Sequence, residues 1–254
     1  MGFSGRRAVV TGGGRGIGRA VAAALAGAGA EVTILGRDRA ALEAMVAAGA
    51  AARFVVCDVT DSEALRTVLA GRVDILVNNA GGVETAPIGR LDRGMWDRTL
   101  ALNLTAAYEA CRAVLPGMME RRSGRVVNVA STAGLVGFPY TAAYTASKHG
   151  LVGLTRTLAA EWGGRGVRCN AVCPGWVKTP MDDDAQAGGL YQDSDITNRV
   201  PMGRFATPDD IAHAIAFLAD AAESGFVNGH TLVVDGGWTA DASWESLRLE
   251  QRKR

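Results

Sequence analysis

Seven short runs rich in Val, Ile and Leu recur along this chain: Arg7 to Thr11, Glu31 to Leu35, Arg53 to Cys57, Val73 to Val77, Gly124 to Ala130, Val167 to Val172 and Thr231 to Val234. Each is nearly continuous in apolar residues instead of alternating, the pattern of a strand buried on both faces. Helix-forming stretches separate them: Gly18 to Ala28, Arg39 to Ala48, Asp61 to Leu69, Asp92 to Met119, Ala142 to Trp162 and Pro208 to Leu218. This alternation predicts an α/β chain, a single doubly wound domain over residues 1–254 with a seven-stranded parallel sheet flanked by helices. Ligands of such sheets bind beyond the carboxyl ends of the strands, so polar motifs at strand ends carry the functional information.

Of the 254 residues, 48% are apolar and 21% charged, near the averages of a folded globular domain. The net charge of +1 supplies no basic field to gather nucleic acid or anionic lipid, so neither is an expected partner. No run reaches membrane-spanning length, and Ala8 to Val10, after Arg6 and Arg7, is too short for a secretory apolar region. Cys57, Cys111, Cys169 and Cys173 form no CxxC pair, and His149, His213 and His230 are scattered, which suggests neither a zinc site nor a disulfide framework. A reducing cytoplasm is the expected setting.

The first strand runs into Thr11-Gly12-Gly13-Gly14-Arg15-Gly16-Ile17-Gly18, which opens the first helix. Glycines let a backbone turn tightly and approach a pyrophosphate, while unpaired N–H groups at a helix start face its charge. The strand-turn-helix placement separates this cluster from a merely flexible turn. At the end of the second strand a carboxylate would meet an adenine ribose 2′-hydroxyl, and a guanidinium a 2′-phosphate. Gly36 holds the carboxylate position, Arg37 follows it, and Arg15 in the turn is a second cation. NADP(H) is therefore the preferred cofactor; Asp38, one place on, keeps NAD(H) open, and either arginine could be a solvated surface residue.

Tyr144 and Lys148 lie at i and i+4 in a helical stretch, hence on one face. A free phenol has a pKa of about 10, and a neighbouring ammonium lowers it toward a working range for proton exchange. Such a pair is also an ordinary helix surface pair. Ser131 closes the fifth strand at the sheet edge where ligands bind, although a serine there can equally be a turn or cap residue. Asn103 sits among apolar neighbours on the long helix and demands a hydrogen-bond partner, as a functional group or as a satisfied core amide.

Taken together, these motifs resemble the classical short-chain dehydrogenase/reductase family, from Arg7 to Gly237. The turn matches its TGxxxGxG form, Val73 to Gly81 its VDILVNNAG segment, and Cys173-Pro174-Gly175-Trp176-Val177-Lys178-Thr179 its PG motif; Asn228-Gly229 and Val234 to Gly237 match its ending. The resemblance implies a Rossmann fold that binds a nicotinamide dinucleotide through Gly12, Gly14, Arg15, Gly16, Ile17 and Gly18. It implies that Asp58 accepts from the adenine amine beside Val59, although an aspartate before Thr60-Asp61 can equally be a helix cap. Asn79, Ala80 and Gly81 would border the adenosine ribose, Pro174, Gly175 and Val177 the nicotinamide, and Thr179 the phosphates. Catalysis would fall to Asn103, Ser131, Tyr144 and Lys148, with Asn103 holding a water that links the lysine to solvent, and with Tyr144 and Lys148 also bordering the cofactor, Lys148 by holding the nicotinamide ribose. Members of this kind are commonly homotetramers, or homodimers, joined through the fourth and fifth helices and the last strand.

Residues 176–205 carry no clear strand and are expected to form a substrate lid with short helices. Asp182, Asp183, Asp184, Asp193 and Asp195 make it acidic, which either repels an acidic carrier or is a solvated loop face. Phe138, Tyr140, Trp176, Met181 and Leu190 are candidate pocket residues, and Trp244 and Leu247 suggest that the extension 238–254 docks on the protein. The expected activity is hydride transfer to or from a small carbonyl or secondary alcohol. NADPH-dependent reduction of a 3-oxoacyl-like ketone leads, with sugar, polyol or other secondary alcohol dehydrogenation as the alternative. A nucleotide-sensing regulator is the rival from outside enzymology, and a complete set of Asn103, Ser131, Tyr144 and Lys148 argues against it.

Overall fold

A computed structural model describes residues 2–179, 189, 191–243 and 248. The chain runs β1 (Arg7–Thr11), α1 (Gly16–Gly27), β2 (Glu31–Gly36), α2 (Arg39–Ala47), β3 (Arg53–Val56), α3 (Ser62–Leu69) and β4 (Ile75–Asn78). It continues through α4 (Arg93–Leu100), α5 (Ala106–Glu120), β5 (Gly124–Val129), α6 (Ala142–Trp162), β6 (Val167–Pro174), α7 (Asp193–Arg199), α8 (Pro208–Ala219) and β7 (Thr231–Val234). The seven strands form one parallel sheet in the order β3-β2-β1-β4-β5-β6-β7. No helix among the described residues is long and apolar enough to cross a membrane.

Both faces of the sheet are covered, which is why the strands need no polar alternation. On one side Val10, Ile34 and Val127 pack with Val21 and Leu25 of α1 and Ile211 and Ile215 of α8. On the other, Val9, Leu35, Leu76 and Val126 pack with Leu65 of α3 and Ala110, Val114 and Met118 of α5. The chain reverses its direction of winding between β1 and β4, which pair from Ala8↔Ile75 to Val10↔Val77. A crevice opens at the carboxyl ends of strands at such a switch point.

The expected single helix from Asp92 to Met119 is three pieces. Residues Ala101–Thr105 form a π-turn between α4 and α5, closed by the Ala106 N–H on the Ala101 carbonyl five residues back. Asn103 in that turn bonds to Gly82, shortly after β4. π-turns of this kind concentrate at functional sites. Within the expected lid, α7 is helical and Val177 forms a parallel bridge with Ala206. Met181, Asp182, Asp183, Asp184, Leu190, Trp244 and Leu247 lie outside the described residues.

Candidate active site

The turn after β1 is built as a cradle. The Thr11 hydroxyl accepts from the N–H groups of Asn79 and Ala80 at 2.9 and 3.0 Å, and Asn79 donates back to the carbonyls of Thr11 and Gly12 at 2.9 and 3.2 Å. This clasp ties β1 to β4 at the switch point. Gly12 and Gly16 take left-handed φ of +66° and +50°. A Cβ on Gly13 would stand 2.6 Å from Ile34, and on Gly18 2.2 Å from the Gly12 carbonyl oxygen. Arg15 at the helix start makes no side-chain cap, so the first N–H groups of α1 remain available to an anion. Thr179 lies against the same turn, its Cγ2 3.4 Å from where a Gly16 Cβ would be. Ile17 packs on the core beneath. Backbone crowding, open N–H groups and two positive-φ glycines fit a dinucleotide pyrophosphate. Thr11 and Gly13, part of the expected turn though not singled out as ligand contacts, belong to this cradle; what the sequence does not show is that the Thr11 hydroxyl binds the segment after β4.

At the adenosine end, Asp58 is not the helix cap: Asp61 fills that role for α3, accepting from Glu63 and Ala64. Asp58 instead accepts from the Thr60 N–H and hydroxyl at 2.9 and 2.8 Å, contacts that hold its carboxyl below the usual range, helped by Arg37. Arg37 is largely exposed, 3.9 Å from Asp58. Arg15 pairs closely with Asp38, whose carboxylate also caps α2 at the Ala41 N–H; that hydrogen bond, then Arg15, lowers its pKa. Both candidate 2′-phosphate cations thus rest on carboxylates, and exposed pairs of this kind are weak enough to exchange.

The catalytic candidates meet at the end of β5. Ser131 follows that strand, and its Oγ accepts from the Ala133 N–H at 3.0 Å. Tyr144 stands in the first turn of α6, half-buried. Lys148, one turn on, is 4% exposed. Its Nζ donates to the Val129 carbonyl at 2.8 Å and lies 5.6 Å from the centre of the Tyr144 ring. Burial of this ammonium brings its pKa down to about 8. Burial also pushes the Tyr144 phenol up, while a hydrogen bond from Ser131 pulls it back. The expectation that the neighbouring Lys148 ammonium lowers the phenol pKa is therefore corrected for the protein without cofactor: desolvation comes first and raises it, and the lowering contact is the Ser131 hydrogen bond.

Asn103 is buried and fully engaged with backbone. Its Oδ1 accepts from the Gly82 N–H at 3.1 Å, and its Nδ2 donates to the carbonyls of Gly82 and Thr99 at 2.9 and 3.0 Å. A Cβ on Gly81 would stand 2.6 Å from Asn103 Oδ1 and 3.5 Å from Lys148 Nζ. Gly81 thus leaves room for the Asn103 amide and stands beside the lysine ammonium. Asn78 serves the interior instead, donating to Asn128, which in turn donates to Thr155. Gly175 follows Pro174 with its N–H on the Val234 carbonyl at 3.0 Å, and an added Cβ would meet Asp235 at 2.8 Å. Val177 packs into the core. Phe138 and Trp176 are in contact, whereas Tyr140 is exposed at a positive φ of +64°. Asp193 pairs with Lys178 and Asp195 caps the start of α7, so these two lid carboxylates serve structure.

Comparison with known proteins bears on the family and the fold. The family described as enoyl-(acyl carrier protein) reductase matches residues 12–239. A 2-keto-3-deoxy-L-fuconate dehydrogenase of Xanthomonas campestris pv. campestris is 40% identical over 244 residues, covering 93% of this chain and 81% of its own. A D-threitol dehydrogenase of Mycolicibacterium smegmatis is 41% identical over 247 residues, covering 93% and 94%. The crystal structure of a gluconate 5-dehydrogenase from Burkholderia cenocepacia, in complex with NADP and tartrate, is 33% identical with a TM-score of 0.88, covering 95% of this chain and 98% of that one. With the cradle, the switch-point crevice and the Ser131, Tyr144 and Lys148 cluster in place, this chain belongs to the short-chain dehydrogenase/reductase family and is an NAD(P)-dependent oxidoreductase acting on alcohols and ketones.

Proposed function

We propose that the protein moves a hydride between NADP(H) and a ketone or secondary alcohol held beside Ser131 and Tyr144. The observation that carries this reading is the convergence of Ser131, Tyr144 and buried Lys148 next to Gly81, where the crevice of the glycine cradle begins. The nicotinamide supplies or accepts the hydride. Ser131 donates to the substrate oxygen as charge builds there, and Tyr144 gives its proton in reduction and takes it back in oxidation. Lys148 holds the nicotinamide ribose and favours the phenolate as the proton leaves. Asn103 acts by holding Gly82 in place, since its side-chain donors are taken by backbone. Gly12, Gly14, Arg15, Gly16, Ile17, Gly18 and Thr179 take the phosphates; Asp58, Val59, Asn79, Ala80 and Gly81 line the adenosine, and Pro174, Gly175 and Val177 the nicotinamide.

A compact polyol or sugar-derived alcohol is the favoured substrate class, supported by the names of the relatives above. Reduction of a 3-oxoacyl-like ketone is the second reading, supported by the acyl-carrier description of the matching family. Screening both classes with both cofactors, followed by nicotinamide absorbance, separates them. The chain works in the cytoplasm as a single-domain subunit of a homotetramer; exposed Tyr108 on α5 and Phe226 and Val233 around β7 give two apolar patches for such contacts.

Preference for NADP(H) rests on Arg37 and Arg15, both exposed and weakly paired. Replacing Arg37 with aspartate is expected to lower the NADPH to NADH ratio of kcat/KM about tenfold to a hundredfold, the range of one charge-assisted hydrogen bond. An unchanged ratio would contradict the assignment.

Lys148 supplies a pH signature. An anionic cofactor favours its ammonium, so binding raises the pKa from about 8 and takes up a proton. Affinity for NADPH is then full below pH 8 and declines as pH rises above it. Calorimetric Kd values at pH 7 and 9.5 should show this decline in the wild type and lose most of it in Lys148→Met. Equal pH dependence in the two proteins would remove Lys148 from the cofactor site.

A further inference from the structure

The residues after β7 do more than end the sheet. The buried Asp235 carboxylate accepts from the N–H groups of Gly237 and Thr239 at 2.9 and 2.7 Å and from the Thr239 hydroxyl at 2.6 Å. Gly236 and Gly237 take φ of +64° and +89°, so the chain reverses sharply. The reversal sits against the end of α7: an added Cβ on Gly236 would stand 2.7 Å from Val200, and one on Gly237 3.2 Å from Pro201. This turn delivers Trp238 onto Phe138, the rings stacked at 5.1 Å with 14° between their planes. Phe138 meets the edge of Trp176 at 6.2 Å, and Trp176 meets Tyr191 at 5.0 Å. On its other flank Trp238 carries the Arg199 guanidinium, 5.1 Å from the ring centre. Asp241 holds that guanidinium through its carbonyl at 2.8 Å and its carboxylate at 3.5 Å.

Tyr191 lies two residues before α7, and Arg199 is its last residue. The contacts therefore close into a ring: Tyr191, Trp176, Phe138, Trp238, Arg199, and back along the helix. Phe138 lies between Ser131 and Tyr144 in the chain, and Trp176 directly follows Pro174-Gly175, so the ring joins the catalytic loop, the nicotinamide loop and the lid. Its four aromatic side chains are all half-buried. Residues in mutual contact are energetically coupled, so one member of a ring is not displaced alone.

Resting on the active-site reading above, we infer that Trp238 is a positioning residue for substrate selection. It backs Phe138 and, through Arg199, pins α7, which gives the cleft a fixed aromatic wall. Aromatic walls suit the C–H faces of compact molecules, and polar groups set orientation within such pockets. A pinned wall admits a compact hydroxylated substrate and excludes an extended acyl chain.

The test uses the full chain with Trp238→Ala and the gentler Arg199→Met. Amide hydrogen exchange over residues 193–199 should quicken at least tenfold, with α6 unchanged, because opening of α7 becomes easier. In turnover with NADPH, the ratio of kcat/KM for a 3-oxodecanoyl thioester over that for erythrulose should rise about tenfold, through KM, with the NADPH Kd unchanged. Unaltered exchange in α7 would overturn the inference whatever the activity. Faster exchange with an unaltered substrate ratio would overturn the selective role. Should Trp238→Ala fail to fold, Arg199→Met decides. Wild-type protein that turns over neither probe with either cofactor contradicts the functional reading, and exchange in α7 then decides the wall by itself.

Discussion

Replacing Tyr144 with phenylalanine is expected to cut kcat about a thousandfold, roughly 4 kcal/mol of activation free energy, within the range of a lost general acid. The ring stays and only the hydroxyl goes. Tyr144 sits half-buried in the first turn of α6, so the variant keeps the packing and should melt within a few degrees of the wild type. Cofactor affinity should also hold, because on the proposed reading the glycine cradle and Lys148 carry most of the contacts to the dinucleotide. Burial keeps the phenol protonated at neutral pH, so in reduction the proton is in place before the hydride moves. Its release leaves a phenolate near Lys148, whose Nζ stands 5.6 Å from the ring centre. Stopped-flow and steady-state reduction, with NADPH binding measured in parallel, separate this loss from a binding defect. Wild-type turnover in Tyr144→Phe would end the assignment of Tyr144 as the acid, and a parallel loss of NADPH binding would mean that the phenol belongs to the cofactor site instead.

Much of this architecture is legible in the chain because parallel strands announce themselves. Val126 and Val127, or Ala171 and Val172, are apolar on consecutive positions since helices cover both faces, and short length with valine enrichment separates such runs from buried helix segments. The cradle is legible for a similar reason, since glycines between a strand and a helix have few other uses. The break in the helix from Asp92 to Met119 is not, because Ala101 to Thr105 carries no local breaker. It accompanies the bonds between Asn103 and Gly82, a contact between segments about twenty residues apart that no local pattern announces. The role of Asp58 is decided by a choice among three nearby acceptors for the helix end, and Asp61 wins by standing one residue before α3. The charge pairs Arg15–Asp38 and Arg37–Asp58 depend on side-chain reach between loops that only the folded sheet brings together. Lys148 was expected to act on Tyr144, yet its nearest partner is the Val129 carbonyl, a backbone group with no identity in sequence. Trp238 stood at the start of an extension without periodicity, and its place behind Phe138 follows from the two left-handed glycines before it.

Gly18→Ala should be the most damaging single-methyl change in the cofactor site. The added Cβ would lie 2.2 Å from the Gly12 carbonyl oxygen and 2.5 Å from the Asn79 amide nitrogen. Neither neighbour can yield cheaply. The Gly12 carbonyl belongs to a backbone at φ +66°, and the Asn79 amide is tied to Thr11 and Gly12 by the clasp that joins β1 to β4. Relief must come from moving α1 away from the turn, which would withdraw the N–H groups proposed to face a pyrophosphate. An overpacking strain of about 1–3 kcal/mol is expected in stability. The NADPH Kd should rise at least about a hundredfold, since each displaced charge-assisted hydrogen bond contributes about 1.5–3 kcal/mol. Gly14→Ala is the control: its Cβ would make ordinary contacts of 3.4 Å with Ala41 and Leu42 at a φ open to any residue, so folding should be nearly unchanged. Thermal melts with and without NADPH read both effects at once. Wild-type melting and a wild-type Kd in Gly18→Ala would mean that α1 does not rest where its N–H groups could meet the phosphates, and the cradle would then lose its claim to the cofactor.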